Sequence, residues 1–496
     1  MLSKDHICAV VAAKDAKSMT RQLLRALPST RTIELRLDWL AGDHEIARFL
    51  RQLAVKCPRA TLLATCRRRE AGGRYRGTIA HQLLQLAEAL RAGCTWYDLE
   101  IESASKVPPE LLDVLLGEGR QITSAHFFRA MPHSLTQTVR QLLTTRPAAI
   151  KVAAQCDSLA AGLRLLRLTR GRRNVIAVPM GEVVMPLRIL AHRLGSALSY
   201  APVENPTAAG QASLSEMLRL YRANLITRRT RVYGVIGDPI AHSLSPQLHN
   251  AGFQARKMDA VYLPFLVHNL RDFLAAIAPL GVAGFSVTLP HKESILRHLD
   301  DCDPLAASIG AVNTVVVRGG TKLYGYNTDY VGVLRAIGQR IPLRGSRVLI
   351  VGAGGVARAV AFALAQAGAA VCILARRKER AAALARAIGG EAIARAGLAR
   401  QFFDAIVNAT PVGMDPDVHR SPLESRELNC RLLFDTIYRP RRTKLMQLAA
   451  RRGIEVVSGV EMFIAQGTAQ WEIWTGERAP VAPMRRAVMD ALRNVI

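Results

Sequence analysis

The chain has 496 residues, half of them hydrophobic, so its length predicts two to four domains that can each bury a core. The formal net charge is +28, but the basic residues occur in ones, twos and threes along the whole chain, which argues against a nucleic-acid-binding protein and favours attraction of small anionic ligands. The longest apolar stretches fall far short of the roughly 20 residues of a membrane span, so we expect no membrane partner.

The N-terminus and the cysteines indicate the compartment. A strand-like segment begins almost at once, at residues 6–12, and no signal or transit peptide is predicted. The eight cysteines are scattered singly, without a C-x-x-C pair or the Cys/His spacing of zinc sites. We therefore expect a cytoplasmic protein with free thiols and no metal.

Short apolar runs alternate with helical patterns over the first 225 residues. This alternation predicts βα units with parallel strands. Eight runs in a segment of this size predict an α/β fold of the (β/α)8 TIM-barrel type, which typically takes about 200 to 250 residues. The runs lie at residues 6–12, 32–37, 61–66, 96–101, 121–125, 149–153, 175–179 and 197–200.

Charged residues lie at the ends of successive runs, and the strand ends of such a barrel converge on one mouth. One such residue would indicate a structural ion pair, whereas a set on successive strands predicts a site. The set is Glu34, Arg36, Asp38, Arg67, Asp98, Glu100, His126 and Lys151.

Lys151 lies in an apolar run, AIKVAA, where desolvation disfavours the ammonium form. Such a lysine suits formation of an imine with a ketone, although a paired structural lysine is the alternative. His126, one strand away, would carry protons, and we expect Glu100 to orient it.

Several motifs in this segment resemble type I 3-dehydroquinate dehydratase and occur in that family's order. They are ELRLD at 34–38, Arg67 followed by Gly72 and Gly73, DLE at 98–100, SAHFF at 124–128, KVA at 151–153, MGEVVMPLR at 180–188 and AAGQ at 208–211. The resemblance implies that residues 1–225 are a dehydratase in which Lys151 forms the imine and His126 moves the protons. It also implies that substrate is held by Glu34, Arg36, Arg67, Arg188, Thr207 and Gln211.

Four positions differ from that family's pattern. Ala71 replaces an acid that commonly supports the histidine, Val184 replaces a glycine, Leu187 a serine, and Thr207 a serine whose hydroxyl it keeps. Because the lysine, the histidine and the arginines are present, we expect activity.

A polar, basic segment at 222–231 predicts a linker to a second module, residues 226–496. Ser243 and Ser245 lie in a loop before a predicted helix, where hydroxyls can receive a carboxylate. A strand predicted to run to Leu289 would place Lys292 at the start of a helix, and Asp329 precedes another helix. Such residues can be simple turn formers, but a Lys/Asp pair suits proton transfer to a ketone.

Residues 347–377 have the pattern strand, glycine turn, helix, strand. Gly352, Gly354 and Ala357 match the G-x-G-x-x-G/A fingerprint, in which small residues allow the tight turn, the approach of pyrophosphate and the packing of the helix. The segment predicts a Rossmann dinucleotide site.

The end of the second strand indicates which dinucleotide binds. No acid occurs from residue 370 to 378, where an NAD site would hold the ribose hydroxyls. Arg376 and Arg377 stand there instead, with Arg380 one helical turn further on, which favours a 2′-phosphate and therefore NADP. A generally basic surface is the alternative explanation of these arginines.

The second module resembles shikimate dehydrogenase from end to end. The motifs include GDPIAHSLSP from 237, GFSVTLPHK from 284, GAVNTVV from 310, GYNTDYVG from 325, NATPVGM from 408, DTIYRP from 435 and GVEMFIAQ from 459. The resemblance implies a two-lobed α/β dehydrogenase, with a substrate lobe at 231–330 plus the C-terminal helices and a Rossmann NADP lobe at 331–460. It differs at Ala375 and Arg377, where the family usually has asparagine and threonine.

The same resemblance implies residue roles. Lys292 and Asp329 would form the catalytic pair. The implied substrate-binding residues are Ser243, Ser245, Thr288, Asn313, Tyr438 and Gln466. The implied cofactor-binding residues are Gly352, Ala353, Gly354, Gly355, Arg376, Arg377, Thr410 and Gly459.

Together, the two modules predict a bifunctional enzyme of the shikimate pathway. The first would convert 3-dehydroquinate to 3-dehydroshikimate, and the second would reduce that product to shikimate with NADPH. Two alternatives stay open: a quinate/shikimate dehydrogenase that uses NAD, and a barrel that has become regulatory or structural.

Overall fold

The computed structural model describes residues 5–56, 59–204 and 210–493 of the chain. The chain divides into two compact units, of which the first comprises residues 1–230 with 265–276 and the second residues 231–264 with 277–496. Within the described ranges, no helix combines the length and apolar composition that crossing a membrane requires.

The first unit is built on eight strands that alternate with helices. The strands are β1 (Ile7–Val11), β2 (Thr32–Arg36), β3 (Thr61–Thr65), β4 (Trp96–Glu100), β5 (Arg120–Phe127), β6 (Ala149–Gln155), β7 (Val175–Met180) and β8 (Ser199–Pro202). The helices are α1 (Ala16–Ala26), α2 (Asp43–Lys56), α3 (Ile79–Arg91), α4 (Ile101–Ala104), α5 (Pro109–Leu116), α6 (Leu135–Leu143), α7 (Leu159–Leu166) and α8 (Met185–Ile189). Each strand from β1 to β6 pairs in parallel with the next one, and β8 pairs in parallel with β1. The predicted (β/α)8 barrel is therefore confirmed.

Local sequence explains where several barrel helices begin. The side chains of Asp15, Thr78, Ser134 and Ser158 each accept a backbone N–H from the first turn of the helix that follows. Inside the barrel, a buried layer of mostly apolar side chains closes the interior and leaves the carboxyl ends of the strands for polar residues. The layer consists of Cys8, Val10, Leu63, Trp96, Ile122, Ala149, Ile176, Leu198 and Tyr200.

From residue 231 onward the chain forms two six-stranded sheets. The strands are β9 (Arg231–Gly237), β10 (Ala260–Leu266), β11 (Val282–Val287), β12 (Asp301–Cys302), β13 (Thr314–Arg318), β14 (Lys322–Tyr326), β15 (Arg347–Val351), β16 (Ala370–Leu374), β17 (Glu391–Ala392), β18 (Phe403–Asn408), β19 (Cys430–Asp435) and β20 (Glu455–Ser458). The helices are α9 (Ser245–Ala255), α10 (Leu270–Leu280), α11 (Pro304–Ile309), α12 (Asp329–Gly338), α13 (Gly355–Gln366), α14 (Lys378–Ile388), α15 (Lys444–Arg451), α16 (Gly459–Thr475) and α17 (Val481–Arg493). The sheet orders are β10-β9-β11-β13-β14-β12 and β17-β16-β15-β18-β19-β20.

The second of these sheets is parallel throughout and has the Rossmann strand order. Val348 and Ile350 of β15 pack on one face with residues of α12, α13 and α14, whereas Leu349 and Val351 pack on the other face with α15. Both faces are buried, so β15 is a continuous apolar run rather than an alternating one. Ligands of such a sheet bind at the carboxyl ends where the strand order reverses, here between β15 and β18.

One predicted element boundary was wrong. The strand expected to reach Leu289 ends at Val287, and Lys292 lies in a turn before a short 3-10 helix, Ser294–His298. Beyond Val287, Thr288 still donates to the carbonyl oxygen of Ile236 and Leu289 still accepts from Asp238, but Pro290 has no backbone N–H with which to extend the pairing.

His249 makes the stability of the second unit depend on pH. Its side chain in α9 is fully buried, stacks on Tyr262 with 4.4 Å between ring centroids, and lies 3.3 Å from Oε1 of Gln470. Burial lowers the pKa of His249 to about 3. The unfolded chain binds a proton here near pH 6.5 and the folded chain does not, so stability is lost as pH falls from about 6.5 towards 3.

We expect protonation of this histidine in the unfolded chain to make the free energy of unfolding about 2 kcal/mol lower at pH 5 than at pH 7. Urea unfolding followed by tryptophan fluorescence at both pH values measures it. His249→Phe keeps a ring against Tyr262 but cannot titrate, so its pH dependence should be flatter by that amount. Equal pH dependence in the two proteins would contradict the assignment.

Candidate active sites

Lys151 of β6 faces two carboxylates inside the barrel. Its Nζ atom lies 2.9 Å from Oδ2 of Asp98 on β4 and 3.5 Å from Oε1 of Glu34 on β2. All three side chains are at most 6% exposed. The sequence neighbours of Lys151 are apolar as expected, but its ammonium group is paired, so opposite charges offset the cost of its burial.

Asp98 is the centre of this polar cluster. Its Oδ1 atom accepts a hydrogen bond of 2.6 Å from Ser124, and the Arg67 guanidinium lies 3.4 Å from both carboxylate oxygens. Burial alone would raise the pKa of Asp98, but Lys151 and Arg67 hold it well below its usual range. Asp98 is therefore ionised at neutral pH and can hold the lysine in one position.

His126 of β5 is neutral and therefore able to accept a proton. Burial lowers its pKa well below the ordinary value, and the charges of Arg67 and Lys151 act in the same direction. Its buried Nδ1 atom has no hydrogen-bond partner among the described residues.

The expectation that Glu100 orients His126 was wrong. Both carboxylate oxygens of Glu100 accept from Gln82 Nε2, at 2.9 and 3.0 Å, and Oε1 also accepts from Ser103 Oγ at 3.0 Å. Glu100 instead fixes the loop after β3, because it also lies 3.3 Å from the backbone N–H of Arg68. Strand order alone could not show to which side of β4 this long side chain would turn.

The predicted substrate-binding arginines differ in their partners. Arg36 is engaged by Asp38 through bonds of 2.9 and 2.8 Å, whereas Arg188 of α8 is buried without a carboxylate. Arg188 donates from Nη2 to the carbonyl oxygen of Tyr200 at 3.3 Å, and its buried Nη1 atom has no partner among the described residues. Burial lowers the pKa of Arg188 to about 10. A buried guanidinium in this state is suited to receive an anion.

Gln211 is half-buried, and Thr207 lies outside the described residues. At two other positions that differ from the family pattern, Val184 and Leu187 are fully buried. They pack on α7 at Gly162, where an added Cβ would come within 2.4 Å of Leu187 and 2.9 Å of Val184. These larger side chains therefore fill the barrel wall beside Arg188.

Ala71 is buried in the loop after β3, so this position supplies no carboxylate to His126. The neighbouring Glu70 is 67% exposed at its side chain and pairs with Arg68 at 3.1 Å. Glu70 therefore does not take over that role.

The second unit contains a cleft of about 650 Å³. Every residue predicted for the dehydrogenase site lines it, although the role of each residue stays a prediction. They are Ser243, Ser245, Thr288, Lys292, Asn313, Asp329, Gly352, Ala353, Gly354, Gly355, Arg376, Arg377, Thr410, Tyr438, Gly459 and Gln466.

Lys292 and Asp329 meet in this cleft. Lys292 Nζ lies 2.6 Å from Asp329 Oδ2, and Asn313 donates to Oδ1 of the same aspartate at 2.8 Å. Asn313 also approaches Oε1 of Gln466 at 3.4 Å. Asp329 is the first residue of α12, so its carboxylate lies at the positive end of the helix dipole.

The glycine turn leaves room for a pyrophosphate. Gly352 has φ +126°, and an added Cβ would lie 2.8 Å from the carbonyl oxygen of Ala409, whereas a Cβ at Gly354 would meet nothing within 4 Å. Ala357 is fully buried where α13 packs on the sheet. Arg376, Arg377 and Arg380 line the cleft beyond β16. These residues fit NADP, because cations stand where the 2′-phosphate would bind.

A buried network behind the cofactor side of the cleft was not predicted. Asn408 donates to Oδ1 of Asp435 at 3.0 Å and accepts from the backbone and hydroxyl of Thr410 at 3.0 and 2.7 Å. Burial raises the pKa of Asp435 to about 6. The motifs NATP and DTIYRP contain these residues at the ends of two strands, which is the signal that could have identified the network.

Among the described residues, no group of three or more histidine, cysteine, aspartate or glutamate side chains is placed to hold a metal ion.

Comparison with protein families gives matches along most of the chain. Residues 7–227 match the type I 3-dehydroquinase model. Residues 235–315 match the shikimate dehydrogenase substrate-binding domain, 336–435 the shikimate/quinate 5-dehydrogenase model, and 459–489 the shikimate 5′-dehydrogenase C-terminal domain.

Individual relatives agree with these matches. The chain is 42% identical to a shikimate dehydrogenase (NADP(+)) of Symbiobacterium thermophilum, over 53% of this chain and 95% of the relative. A crystal structure of a shikimate dehydrogenase in complex with NADP+ aligns with a TM-score of 0.50 and 36% identity, over 54% of this chain and 97% of that one.

One relative spans both units. The chloroplastic bifunctional 3-dehydroquinate dehydratase/shikimate dehydrogenase of Arabidopsis thaliana is 35% identical over 96% of this chain and 82% of the relative. The chain therefore belongs to the family of bifunctional 3-dehydroquinate dehydratase/shikimate dehydrogenases, enzymes of the shikimate pathway that combine a lyase with an NADP-dependent oxidoreductase.

Proposed function

We propose that residues 1–225 dehydrate 3-dehydroquinate through an imine on Lys151. Lys151 Nζ gives up a proton and attacks the ketone carbon, whose oxygen leaves as water. The protonated imine withdraws electrons, so that neutral His126 can remove the proton from the adjacent carbon C2. The C1 hydroxyl then departs as water with a proton returned by His126, and hydrolysis releases 3-dehydroshikimate and the lysine.

The remaining barrel residues bind and orient the substrate in this proposal. Arg188 receives the carboxylate, which is supported by its burial without an acidic partner and by its unpartnered Nη1 atom. Glu34, Arg36, Arg67, Thr207 and Gln211 hold the hydroxyl groups. Asp98 keeps Lys151 next to the reacting carbon through the 2.9 Å contact.

We propose that residues 226–496 reduce 3-dehydroshikimate to shikimate. When bound, NADPH supplies the hydride. Lys292 donates a proton to the carbonyl oxygen, and Asp329 positions the lysine through their 2.6 Å contact. Ser243, Ser245 and Tyr438 hold the carboxylate end of the substrate, while Thr288, Asn313 and Gln466 hold its hydroxyl groups. The observation that carries this proposal is the convergence of all these residues on one cleft.

The cofactor-binding residues follow from the same cleft. Gly352 to Gly355 would hold the pyrophosphate, Arg376 and Arg377 the 2′-phosphate, and Thr410 and Gly459 the nicotinamide part of NADP. All of these residues line the cleft. We infer that NADP is preferred over NAD because the lining beyond β16 is cationic. We also place the protein in a reducing compartment such as the cytoplasm, since the cysteines within the described residues are free thiols.

A coupled assay tests both halves together. Purified protein is supplied with 3-dehydroquinate or, in a parallel reaction, 3-dehydroshikimate, together with either NADPH or NADH, and nicotinamide absorbance is followed. Oxidation of NADPH with 3-dehydroquinate reports both activities at once. Oxidation of NADH but not NADPH would contradict the proposal that Arg376 and Arg377 select NADP. Oxidation with 3-dehydroshikimate but not with 3-dehydroquinate would show that the barrel has lost its dehydratase activity.

We expect a covalent adduct on Lys151 when the protein is incubated with 3-dehydroshikimate and borohydride, because hydride reduction makes the imine permanent. Peptide mass mapping locates the adduct. Lys151→Ala should form none while still reducing 3-dehydroshikimate. An unmodified Lys151 peptide in the parent protein would disprove the imine.

We expect Lys292→Met to lower the turnover of 3-dehydroshikimate by about 10²- to 10⁴-fold, the usual contribution of a general acid. Binding of NADPH, measured by fluorescence titration, should be little changed. Lys322→Met, at an exposed lysine on β14, is the matched control and should retain activity. A similar loss in both variants would remove Lys292 from its proposed role.

We expect Arg376→Ala to raise the KM for NADPH about 10- to 100-fold and to leave the KM for NADH nearly unchanged, because a charge-assisted bond to phosphate contributes about 1.5–3 kcal/mol. Steady-state kinetics with each cofactor measures the ratio. Arg386→Ala, at an exposed arginine of α14, provides the control. Equal increases for both cofactors would argue against a 2′-phosphate contact.

A further inference from the structure

The ammonium group of Lys151 lies over an aromatic ring as well as beside carboxylates. Its Nζ atom is 4.2 Å from the centroid of the Tyr200 ring. A cation at this distance is attracted by the negative face of the ring, more strongly where water is excluded. Tyr200 is 6% exposed and Lys151 5%, so the contact is nearly dry.

Tyr200 reaches this position because of the barrel register. On β8 it lies beside Cys8 of β1, within the buried layer that closes the interior. Its carbonyl oxygen accepts the bond from Arg188, so one residue contacts both the lysine and the arginine that we assign to the substrate carboxylate. The backbone of Tyr200 is thereby held in place independently of its ring.

The phenol hydroxyl of Tyr200 is distinct from the ring face that contacts Lys151. It is buried and has no hydrogen-bond partner among the described residues. Burial raises the pKa of Tyr200 well above its ordinary value, so the hydroxyl stays protonated and cannot act as a base at neutral pH. The feature of Tyr200 that touches the reacting lysine is the face of its ring.

We propose that the Tyr200 ring is a positioning residue of the dehydratase that stabilises the positive charge on the Lys151 nitrogen, first as ammonium and then as protonated imine. A ring face suits this role better than a third carboxylate. It attracts the cation without neutralising it, so the imine keeps its capacity to withdraw electrons while His126 removes the proton. The proposal rests on the imine at Lys151 described above.

The test changes the electron density of the ring at position 200 while keeping its shape. Tyr200→Phe, and phenylalanine analogues carrying one, two or three fluorine atoms at position 200, keep the ring shape while weakening its negative face stepwise. We expect Tyr200→Phe to retain dehydratase turnover, and the fluorinated series to lose about 2- to 30-fold in total, following the range of such contacts. The rate of borohydride trapping on Lys151 should fall in the same order.

Matched variants distinguish this effect from damage to the barrel. Tyr97→Leu removes a buried tyrosine of β4 whose hydroxyl donates to Oε1 of Gln121 at 2.9 Å. This variant should be less stable, but the rate of borohydride trapping on Lys151 per molecule of folded protein should be unchanged. Reduction of 3-dehydroshikimate by the second unit provides an internal measure of active protein.

Two results would overturn the proposal. One is a flat fluorinated series, with equal turnover and trapping at every step. The other is a loss of dehydratase turnover in Tyr200→Phe as large as the loss in Tyr200→Leu, a variant that removes the ring altogether. This result would assign the role to the hydroxyl. Absence of any adduct in the parent protein would instead refute the imine, so the two failures can be told apart.

Discussion

The barrel site depends on the pairing of a buried lysine with a buried aspartate. Lys151 and Asp98 could not be buried singly inside the barrel, because an isolated buried charge costs several kcal/mol. Together they require further partners, and the chain supplies Ser124 and Arg67 at the remaining positions around Asp98. The same solution occurs in the dehydrogenase cleft, where Asn313 completes the pair of Lys292 and Asp329.

The two units use different ways to present such a pair. In the barrel, parallel strands bring Glu34, Asp98 and Lys151 from three places in the sequence to one point of the interior. In the dehydrogenase, Asp329 begins a helix while Lys292 lies in a turn, so the pair is set by loop ends rather than by a sheet. A buried carboxylate contacts the lysine in both cases, which limits the freedom of the amine before substrate binds.

More of the fold than of the site contacts could be predicted from the sequence. Continuous apolar runs such as β15 and the regular alternation of strands and helices identify the parallel sheets, because burial on both faces leaves a strong pattern. Side-chain direction leaves no such pattern. Glu100 was expected at His126 but binds Gln82, and Asp98, without an expected role, holds Lys151. The position of a strand can be predicted from the local sequence pattern. The direction in which a long side chain points depends on neighbours that are distant along the chain.

The neutral state of His126 has a consequence for the proposed reaction. Burial keeps the histidine neutral, the positive charges of Arg67, Lys151 and Arg36 act in the same direction, and Asp98 acts against them. An anionic substrate in the proposed barrel site would bring a negative charge into the field of these charges and make a proton on the imidazole less unfavourable. In the proposed reaction the substrate thus increases the basicity of the group that deprotonates it.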